Sequence, residues 1–284
     1  MTRRAFLAAP GLLPAAAAPI ALGLDSYSIR AWRWKDIQLL DYAASLRLDT
    51  VQISSLNDYA SLDPVHLQRV KDHAARLQIA IDAGTGCICP TTRSWNPKQG
   101  DPAQFLLTGL RTARAVGARA MRCFIGSPLD RKLVPSVPIE KHVESTLTVL
   151  RSARTQALDL GVKIAIENHG DLSARELRSL IEAAGPGFVA ACLDTGNPVS
   201  ICEDPLLTLE VLAPYTVTTH IRDSVIFEHP RGAAVQWTAL GDGSLDWKRL
   251  VARFRELCPH SAMQLEIITG RAPEIGRASC RERV

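Results

Sequence analysis

Along most of the chain, short apolar runs alternate with longer segments in which apolar residues recur at helical spacing. The apolar runs have the length of buried strands, and they lie at 20–24, 50–54, 79–83, 118–124, 162–167, 188–193, 216–221 and 263–267. Between them, Val70, Ala74 and Leu77 share one face of a predicted helix over 65–77, and 139–158 repeats the pattern. The pattern therefore predicts an alternation of strands and helices through eight units.

Three of the helical segments have the same start. An aspartate followed by a proline stands at Asp63, Asp101 and Asp204, just before the first turn of each segment. An aspartate side chain accepts hydrogen bonds from the free N–H groups of a first turn, and proline suits the first helical position. We therefore expect helices to begin at these three points.

Strand–helix alternation is typical of a parallel sheet whose strands are joined by helical crossovers. Two architectures fit it, an open doubly wound sheet and a closed (β/α)₈ barrel, also called a TIM barrel. The chain has eight units and no glycine-rich dinucleotide-binding motif after its first strand, which favours the barrel. We predict one α/β domain, a single (β/α)₈ TIM barrel over 19–270, without a native helix after its last strand.

The two ends of the chain depart from this pattern. Arg3 and Arg4 precede an apolar run that ends at Ala18, with small residues that suit a cleavage site. We predict a twin-arginine-type signal peptide over 1–18 and export to the periplasm; a disordered or weakly helical extension is the alternative. The run is shorter than the about 20 residues that a membrane span needs, so we expect no membrane anchor. Over 271–284 arginines alternate with small residues, and we predict a non-native or truncated tail.

Composition narrows the class of protein. The chain is 46% hydrophobic and 22% charged, which is typical of a soluble globular domain. Much of its net charge of +4 comes from arginines near the two ends, so the middle carries no basic stripe for nucleic acid. The seven cysteines form no Cys-x-x-Cys pair, and we therefore expect no zinc ribbon.

Four consecutive predicted strands end in a side chain that can bind a metal. These side chains are Glu167, Asp194, His220 and Glu266. The carboxyl ends of the strands of a barrel meet on one face, which is where such barrels place their active sites. A charged group at the end of an apolar strand is unfavourable unless it is paired or bound to a metal. The four positions therefore predict a shared metal site.

Three carboxylates and one imidazole form a set of mostly oxygen ligands. Such a set suits one divalent ion, Mn²⁺, Mg²⁺ or Co²⁺, and suits Zn²⁺ less well because zinc prefers nitrogen and sulfur. Taken singly, each residue has an ordinary structural role: Glu167 in an ion pair, Asp194 in a turn, His220 as a half-buried histidine. All four residues are expected at the same height in the barrel, and this favours a shared metal site over four separate structural roles.

Three segments resemble a known family. Ile-Glu-Asn-His at 166–169, Leu-Asp-Thr-Gly-Asn at 193–197 and His-Ile-Arg-Asp at 220–223 resemble the xylose-isomerase-like family of sugar isomerases and epimerases. That family also contains inosose dehydratases and endonuclease IV. The loop Leu-Gly-Asp-Gly-Ser-Leu-Asp at 240–246 resembles the family's Gly-x-Gly turn, and the resemblance runs from about residue 22 to about residue 270.

The resemblance implies a mechanism. The metal would bind adjacent oxygens of a sugar carbonyl and hydroxyl and stabilise the enediolate that forms when the neighbouring proton is removed. Glu167 and Glu266 would be ligands and also the catalytic acid/base groups on opposite faces of the substrate. Asp194 and His220 would mainly hold the metal.

Further residues are candidates for substrate binding. His169 would donate to substrate hydroxyls, or be an ordinary packed histidine. Arg122 falls inside the fourth strand and must point into the barrel mouth or pair with a carboxylate. Arg222 would steady a substrate oxygen or an anionic leaving group, with Asp223 orienting it, or the two would form a surface pair.

The chain also departs from parts of the family pattern. Asn197, which we also count as a substrate-binding candidate, stands where the ketose 3-epimerases have histidine, and Arg222 stands where many members have lysine. Endonuclease IV needs extra histidines for its metal cluster, whereas His66, His73 and His142 fall on predicted helices as solvated faces. We therefore expect no DNA repair activity.

Three functions remain open from the sequence. The first is a metal-dependent isomerase or epimerase of a small sugar or sugar derivative. The second is a lyase or hydratase that eliminates from a 3-keto glycoside or inosose-like substrate at the same metal site, which export favours. The third is a non-catalytic sugar-binding barrel. Export and the absence of a glycine-rich anion cradle disfavour a phosphorylated substrate.

Overall fold

The computed structural model describes residues 19–132, 137–268 and 271–276. The strands of this part of the chain are β1 Leu22–Asp25, β2 Thr50–Ile53, β3 Ala80–Cys87, β4 Ala120–Phe124, β5 Lys163–Glu167, β6 Val189–Asp194, β7 Thr216–His220, β8 Asp223–His229, β9 Gly232–Thr238, β10 Met263–Leu265 and β11 Glu274–Gly276. The α-helices are α1 Asp36–Ser45, α2 Pro64–Leu77, α3 Pro102–Val116, α4 Pro128–Lys132, α5 Ile139–Leu160, α6 Ala174–Ala184, α7 Pro205–Leu212 and α8 Trp247–Leu257.

Eight parallel strands form a ring. Strands β1 to β7 pair in sequence order, and β10 pairs with β1 from the other side, Leu22 lying opposite Met263. Ile221, just after β7, forms a parallel bridge with Leu265 of β10, and this bridge links the two ends of the sheet. The prediction of a single α/β barrel is confirmed, and the open sheet is excluded.

Alternation along each strand separates the barrel wall from its interior. Ile164 and Ile166 of β5 belong to the apolar layer between strands and helices. Ala165 and Glu167 alternate with them and therefore face the interior, because successive strand residues point to opposite sides. Small interior residues such as Ala165 leave room for the larger polar groups at the strand ends.

The helix starts follow the sequence. The side chain of Asp63 accepts hydrogen bonds from the backbone N–H groups of Val65 and His66, at 2.8 and 3.2 Å. Asp101 and Asp204 cap α3 and α7 in the same way. These caps supply partners for N–H groups that a helix leaves free in its first turn.

A small antiparallel sheet, which the sequence did not predict, stands beside the barrel. Strands β8 and β9 form a hairpin between β7 and α8, and β11 pairs with β9, Ile275 lying opposite Ala234. We call β8, β9 and β11 the side sheet. No strand was predicted between 221 and 263, so its hairpin was missed.

The structure describes only part of the two chain ends. No helix follows β10 within 266–268 or 271–276, and the residues after 276 lie outside the described part, so the predicted lack of a final helix stays a prediction. The signal peptide over 1–18 lies outside the described residues, as does most of the tail, and both stay predictions. None of the described helices has the length and apolar character needed to cross a bilayer.

Two glycines of β3 provide a test of the packing. A Cβ atom on Gly84 would lie 2.6 Å from the Ser54 carbonyl oxygen and 2.7 Å from its Cα, whereas one on Gly86 would meet only the Gln99 side chain at 3.6 Å. We expect Gly84→Ala to lower the free energy of unfolding by about 1–3 kcal/mol, because strand backbone cannot move aside cheaply. Gly86→Ala is the matched control and should unfold at nearly the wild-type urea concentration. Equal midpoints for the two variants would contradict the close approach of β2 and β3.

Candidate metal centre

Four side chains from neighbouring strands meet at the carboxyl end of the barrel. Glu167 ends β5, Asp194 ends β6, His220 ends β7, and Glu266 follows β10. All four are buried, and one potential ligand atom of each lies within 4.8 Å of the others. We call these residues the cluster. The structure thus brings together all four residues that the sequence predicted as metal ligands.

Two buried atoms of the cluster lack a hydrogen-bond partner. They are Nδ1 of His220 and Oε2 of Glu266, which lie 3.6 Å apart. Nδ1 also lies 3.2 Å from Oε1 of Glu167. Polar atoms left without a partner in the interior are unfavourable by about 1–3 kcal/mol each, and a cation between them would satisfy both. The donor set of three carboxylates and one imidazole therefore fits a divalent metal.

The other ring nitrogen of His220, Nε2, also has polar neighbours. It lies 2.8 Å from Oε1 of Gln52 and 3.4 Å from Oδ2 of Asp25. Metal-binding histidines commonly donate their second ring N–H to such an acceptor. Gln52 was missed, although a glutamine between Val51 and Ile53 in an apolar strand was a signal that could have identified it.

Arg122 pairs with a cluster carboxylate, one of the two placements that the sequence allowed. Its Nε donates to Oε2 of Glu167 at 2.6 Å, and Nη1 donates to the Thr85 carbonyl at 3.2 Å. Burial raises the pKa of Glu167, but Arg122 and His220 outweigh burial and hold it well below its usual value. Glu167 is therefore held as a carboxylate.

Arg222 occupies the matching position beside Asp194. Its Nε lies 2.8 Å from Oδ2 of Asp194 and 3.4 Å from Oε2 of Glu266, and its guanidinium lies 5.3 Å from the centre of the Trp237 ring. The alternative of a surface pair with Asp223 is wrong, because both residues are buried.

Asp223 does not orient Arg222. Its Oδ2 accepts from the N–H groups of Gly241 and Gly243 and from Nε1 of Trp247, at 3.0, 3.1 and 2.7 Å. Asp223 therefore fixes the loop before α8.

Asn197 and Asn168 complete the surroundings of Asp194 and Glu167. Nδ2 of Asn197 donates to Oε1 of Glu167 at 3.2 Å, its Oδ1 accepts from Arg222, and its backbone N–H donates to Oδ1 of Asp194 at 2.6 Å. Asn168, which the sequence analysis left without a role, joins β5 to β6 through both backbone groups of Asp194.

The remaining histidines lie outside the cluster. His169 stacks on Phe124 with ring centres 4.4 Å apart, and its Nδ1 lies 2.6 Å from the Gly126 carbonyl oxygen. His142 is only 3% exposed and bonds Thr91, so its assignment to a solvated face was wrong; burial on the inner side of α5 explains the difference. His66 and His73 pair with helix aspartates.

The two histidines at the strand ends give a matched test of metal binding. We expect His220→Ala to lose stoichiometric binding of Mn²⁺ or Zn²⁺, because the only nitrogen of the cluster is removed. His169→Ala should keep one ion per chain, since its ring bonds to a backbone carbonyl instead. Metal content after dialysis and titration calorimetry measure both. Equal metal binding by the two variants would exclude the cluster as the site.

The protonation of the cluster predicts how metal binding depends on pH. Burial raises the pKa of Asp194 to about 7, although Arg222 beside it acts in the opposite direction. A metal binds the ionised carboxylate and displaces its proton. We therefore expect the affinity for Mn²⁺ to fall as the pH falls below about 7. Calorimetry across that range checks this, and an affinity independent of pH would contradict it.

Comparisons with known proteins identify chains of similar sequence and fold. The chain is 22% identical to the 3-oxo-isoapionate decarboxylase of Pectobacterium atrosepticum over 241 residues, 81% of this chain and 79% of that protein. Its structure is similar to that of D-psicose 3-epimerase in the presence of D-fructose, with a TM-score of 0.66, 16% identity, and 90% and 88% of the two chains covered. The IOLI protein with a bound zinc atom gives a TM-score of 0.66 at 13% identity, with 87% and 89% covered.

At these identities the structural likeness shows a shared fold, and a match to a family model is more specific. That match spans residues 40–278, which include the whole cluster. The chain therefore belongs to the xylose isomerase-like TIM barrel family.

Proposed function

We propose that the protein is a divalent-metal-dependent isomerase or epimerase of a small sugar or sugar derivative. The observation that carries the proposal is the buried cluster, in which three carboxylates and one imidazole offer ligand atoms within 4.8 Å of one another. When bound, the metal would polarise a carbonyl and make the neighbouring C–H group more acidic. Reactions of this class begin with removal of that proton.

The two glutamates differ in their freedom to take a proton. Both oxygens of Glu167 are engaged, Oε2 by Arg122 and Oε1 by Asn197. Oε2 of Glu266 has no hydrogen-bond partner, and it lies 3.6 Å from Nδ1 of His220 and 3.4 Å from Nε of Arg222. We therefore assign Glu266 as the base that takes the proton and Glu167 mainly to metal binding, with a smaller share in proton transfer.

Polar groups around the cluster would orient the substrate. Arg222 and Asn197 bond to each other beside Asp194 and Glu266, where a substrate oxygen would approach the metal. His169 and Phe124 stack beside Arg122, whose guanidinium lies 4.8 Å from the Phe124 ring centre. These side chains offer both hydrogen bonds and an aromatic surface, a combination that suits a sugar ring.

The relatives support this class of reaction. D-psicose 3-epimerase acts on a sugar, and the IOLI protein holds zinc. Asn197 stands where the 3-epimerases of the resemblance have histidine, and here its amide is committed to Glu167 and Arg222. Isomerisation, or epimerisation at another carbon, therefore fits better than 3-epimerisation of a free ketose.

A lyase reaction at the same site is the second candidate. Inverting a carbon centre calls for proton carriers on both faces of the substrate, whereas elimination or decarboxylation can proceed with one. Arg122 engages Glu167 and leaves Glu266 as the freer carboxylate, which favours one-base chemistry. The relative 3-oxo-isoapionate decarboxylase is, by its name, a decarboxylase that acts on a 3-oxo compound. A non-catalytic sugar-binding barrel would give no turnover in either assay.

Glu266 provides the decisive activity test. At saturating Mn²⁺, we expect Glu266→Gln to lower kcat by about 10²–10⁴-fold, because the base is lost. Glu228→Gln, a change of the same kind on the exposed part of β8, is the control and should leave kcat unchanged. Turnover of ketoses, 3-keto glycosides and 3-oxo sugar acids in D₂O is followed by NMR.

The products separate the candidates. A rearranged sugar with deuterium next to the carbonyl supports the isomerase or epimerase, and an eliminated group or released CO₂ supports the lyase. Wild-type activity in Glu266→Gln would contradict the assignment of the base. Absence of turnover with every substrate, despite metal binding, would favour the sugar-binding barrel.

A further inference from the structure

A line of buried polar side chains crosses the barrel interior beneath the cluster. It runs from Asp82 on β3 through Thr218 on β7 to Gln52 on β2, and ends on the His220 ring. We propose that this line, which we call the relay, keeps the His220 proton on Nε2 and directs the Nδ1 lone pair at the metal. The relay rests on the metal-binding part of the proposed function, and its members are positioning residues.

The relay begins at a carboxylate oxygen. Oδ2 of Asp82 accepts from the Thr218 hydroxyl at 2.7 Å and from Nε2 of Gln264 at 2.9 Å. A hydroxyl has one proton to donate. Because Thr218 gives that proton to Asp82, its oxygen can only accept from any further partner.

The next step fixes the orientation of an amide. Nε2 of Gln52 donates to the Thr218 oxygen at 3.0 Å. An amide side chain has donors on one side and an acceptor on the other, so its Oε1 is turned toward His220. That oxygen lies 2.8 Å from Nε2 of the ring. Since Gln52 presents an acceptor there, the ring nitrogen facing it must carry the proton.

The neutral His220 ring then has its lone pair on Nδ1, the nitrogen on the cluster side. Nδ1 lies 3.2 Å from Oε1 of Glu167 and has no hydrogen-bond partner. The opposite tautomer would place a proton between Nδ1 and the carboxylates and exclude the metal. Asp25 acts in the same direction, because its Oδ2 is a second acceptor 3.4 Å from Nε2.

The position of the relay indicates that its polar side chains do more than fill space. Gln52 and Thr218 are fully buried on two strands that are not neighbours in the sheet, and the two side chains meet across the barrel interior. Asp82 is half-buried and lies near the start of β3, so the relay runs from the amino end of the strands toward the metal. Val or Leu side chains at these positions would fill the same space but would not orient the imidazole.

Two changes at Thr218 give a matched test. Thr218→Val removes the hydroxyl and keeps the shape, while Thr218→Ser keeps the hydroxyl. We expect Thr218→Val and Gln52→Leu to raise the dissociation constant for Zn²⁺ by about 10–100-fold, the usual effect of losing an outer partner of a metal-binding histidine. Thr218→Ser should stay within about threefold of wild type. Competition titration with a zinc chelator on the full chain measures all four proteins.

A spectroscopic measurement reads the tautomer directly. In long-range ¹H–¹⁵N correlation spectra of the zinc-loaded wild type, we expect His220 to show a proton on Nε2 and zinc on Nδ1. A role confined to stability would lower the thermal midpoint of Thr218→Val and leave zinc affinity unchanged. The spectrum does not depend on the variants and still decides if Thr218→Val fails to fold.

The outcomes separate this inference from the proposed function. Zinc on Nε2 in the wild type, or wild-type affinity in folded Thr218→Val and Gln52→Leu, overturns the relay alone. A wild-type chain that binds no divalent metal overturns both proposals. Weakened zinc binding in Thr218→Val with wild-type binding in Thr218→Ser supports the relay whatever the substrate proves to be.

Discussion

The mutual repulsion of three buried carboxylates is the constraint on which the rest of the site depends. Glu167, Asp194 and Glu266 approach one another at the end of the barrel, out of contact with water. Like charges at such distances cannot all remain ionised in an apolar interior without nearby positive charge. Arg122 and Arg222 supply part of that charge, one beside each flank of the cluster. The ligand set fits a divalent ion, which would supply the rest.

The barrel makes this concentration of charge possible. Parallel strands deliver their ends to one face, and the register that pairs Asp194 with His220 sets both side chains at one height. The backbone hydrogen bonds of the sheet hold the cluster side chains in place against their mutual repulsion. Preorganisation of this kind means that the cost of assembling the site is met during folding rather than during binding.

Much of the fold followed from local patterns. Short apolar runs located all eight barrel strands, and the aspartate caps located three helix starts, because both signals are set by nearest neighbours along the chain. The side sheet was missed since β8 and β9 carry polar and apolar residues without a clear period, and β9 also pairs with the distant β11. Pairings between distant segments leave little trace in a single sequence.

The site was predictable to a similar extent. The four cluster residues could be identified because strand order and strand ends determine where they meet. The pairing of Arg122 with Glu167 was foreseen as one of two options. Two contacts were not predicted: the bond between Asn197 and Arg222, and the contact of Gln52 with His220. Both depend on side-chain directions across the barrel interior. Those directions are set by packing in three dimensions.

The Asp223 carboxylate has a consequence for how this protein can change. Its bonds to Gly241, Gly243 and Trp247 tie the start of the side sheet to the loop before α8. The side sheet meets the cluster's surroundings through the stacking of Trp237 on Arg222 and the bond from Ser224 to Gly196. Residues elsewhere on the hairpin could therefore change without disturbing a residue of the cluster. A changed side chain on that part of the hairpin would alter the border of the site and leave the four cluster residues in place, an arrangement in which substrate preference could change separately from the chemistry.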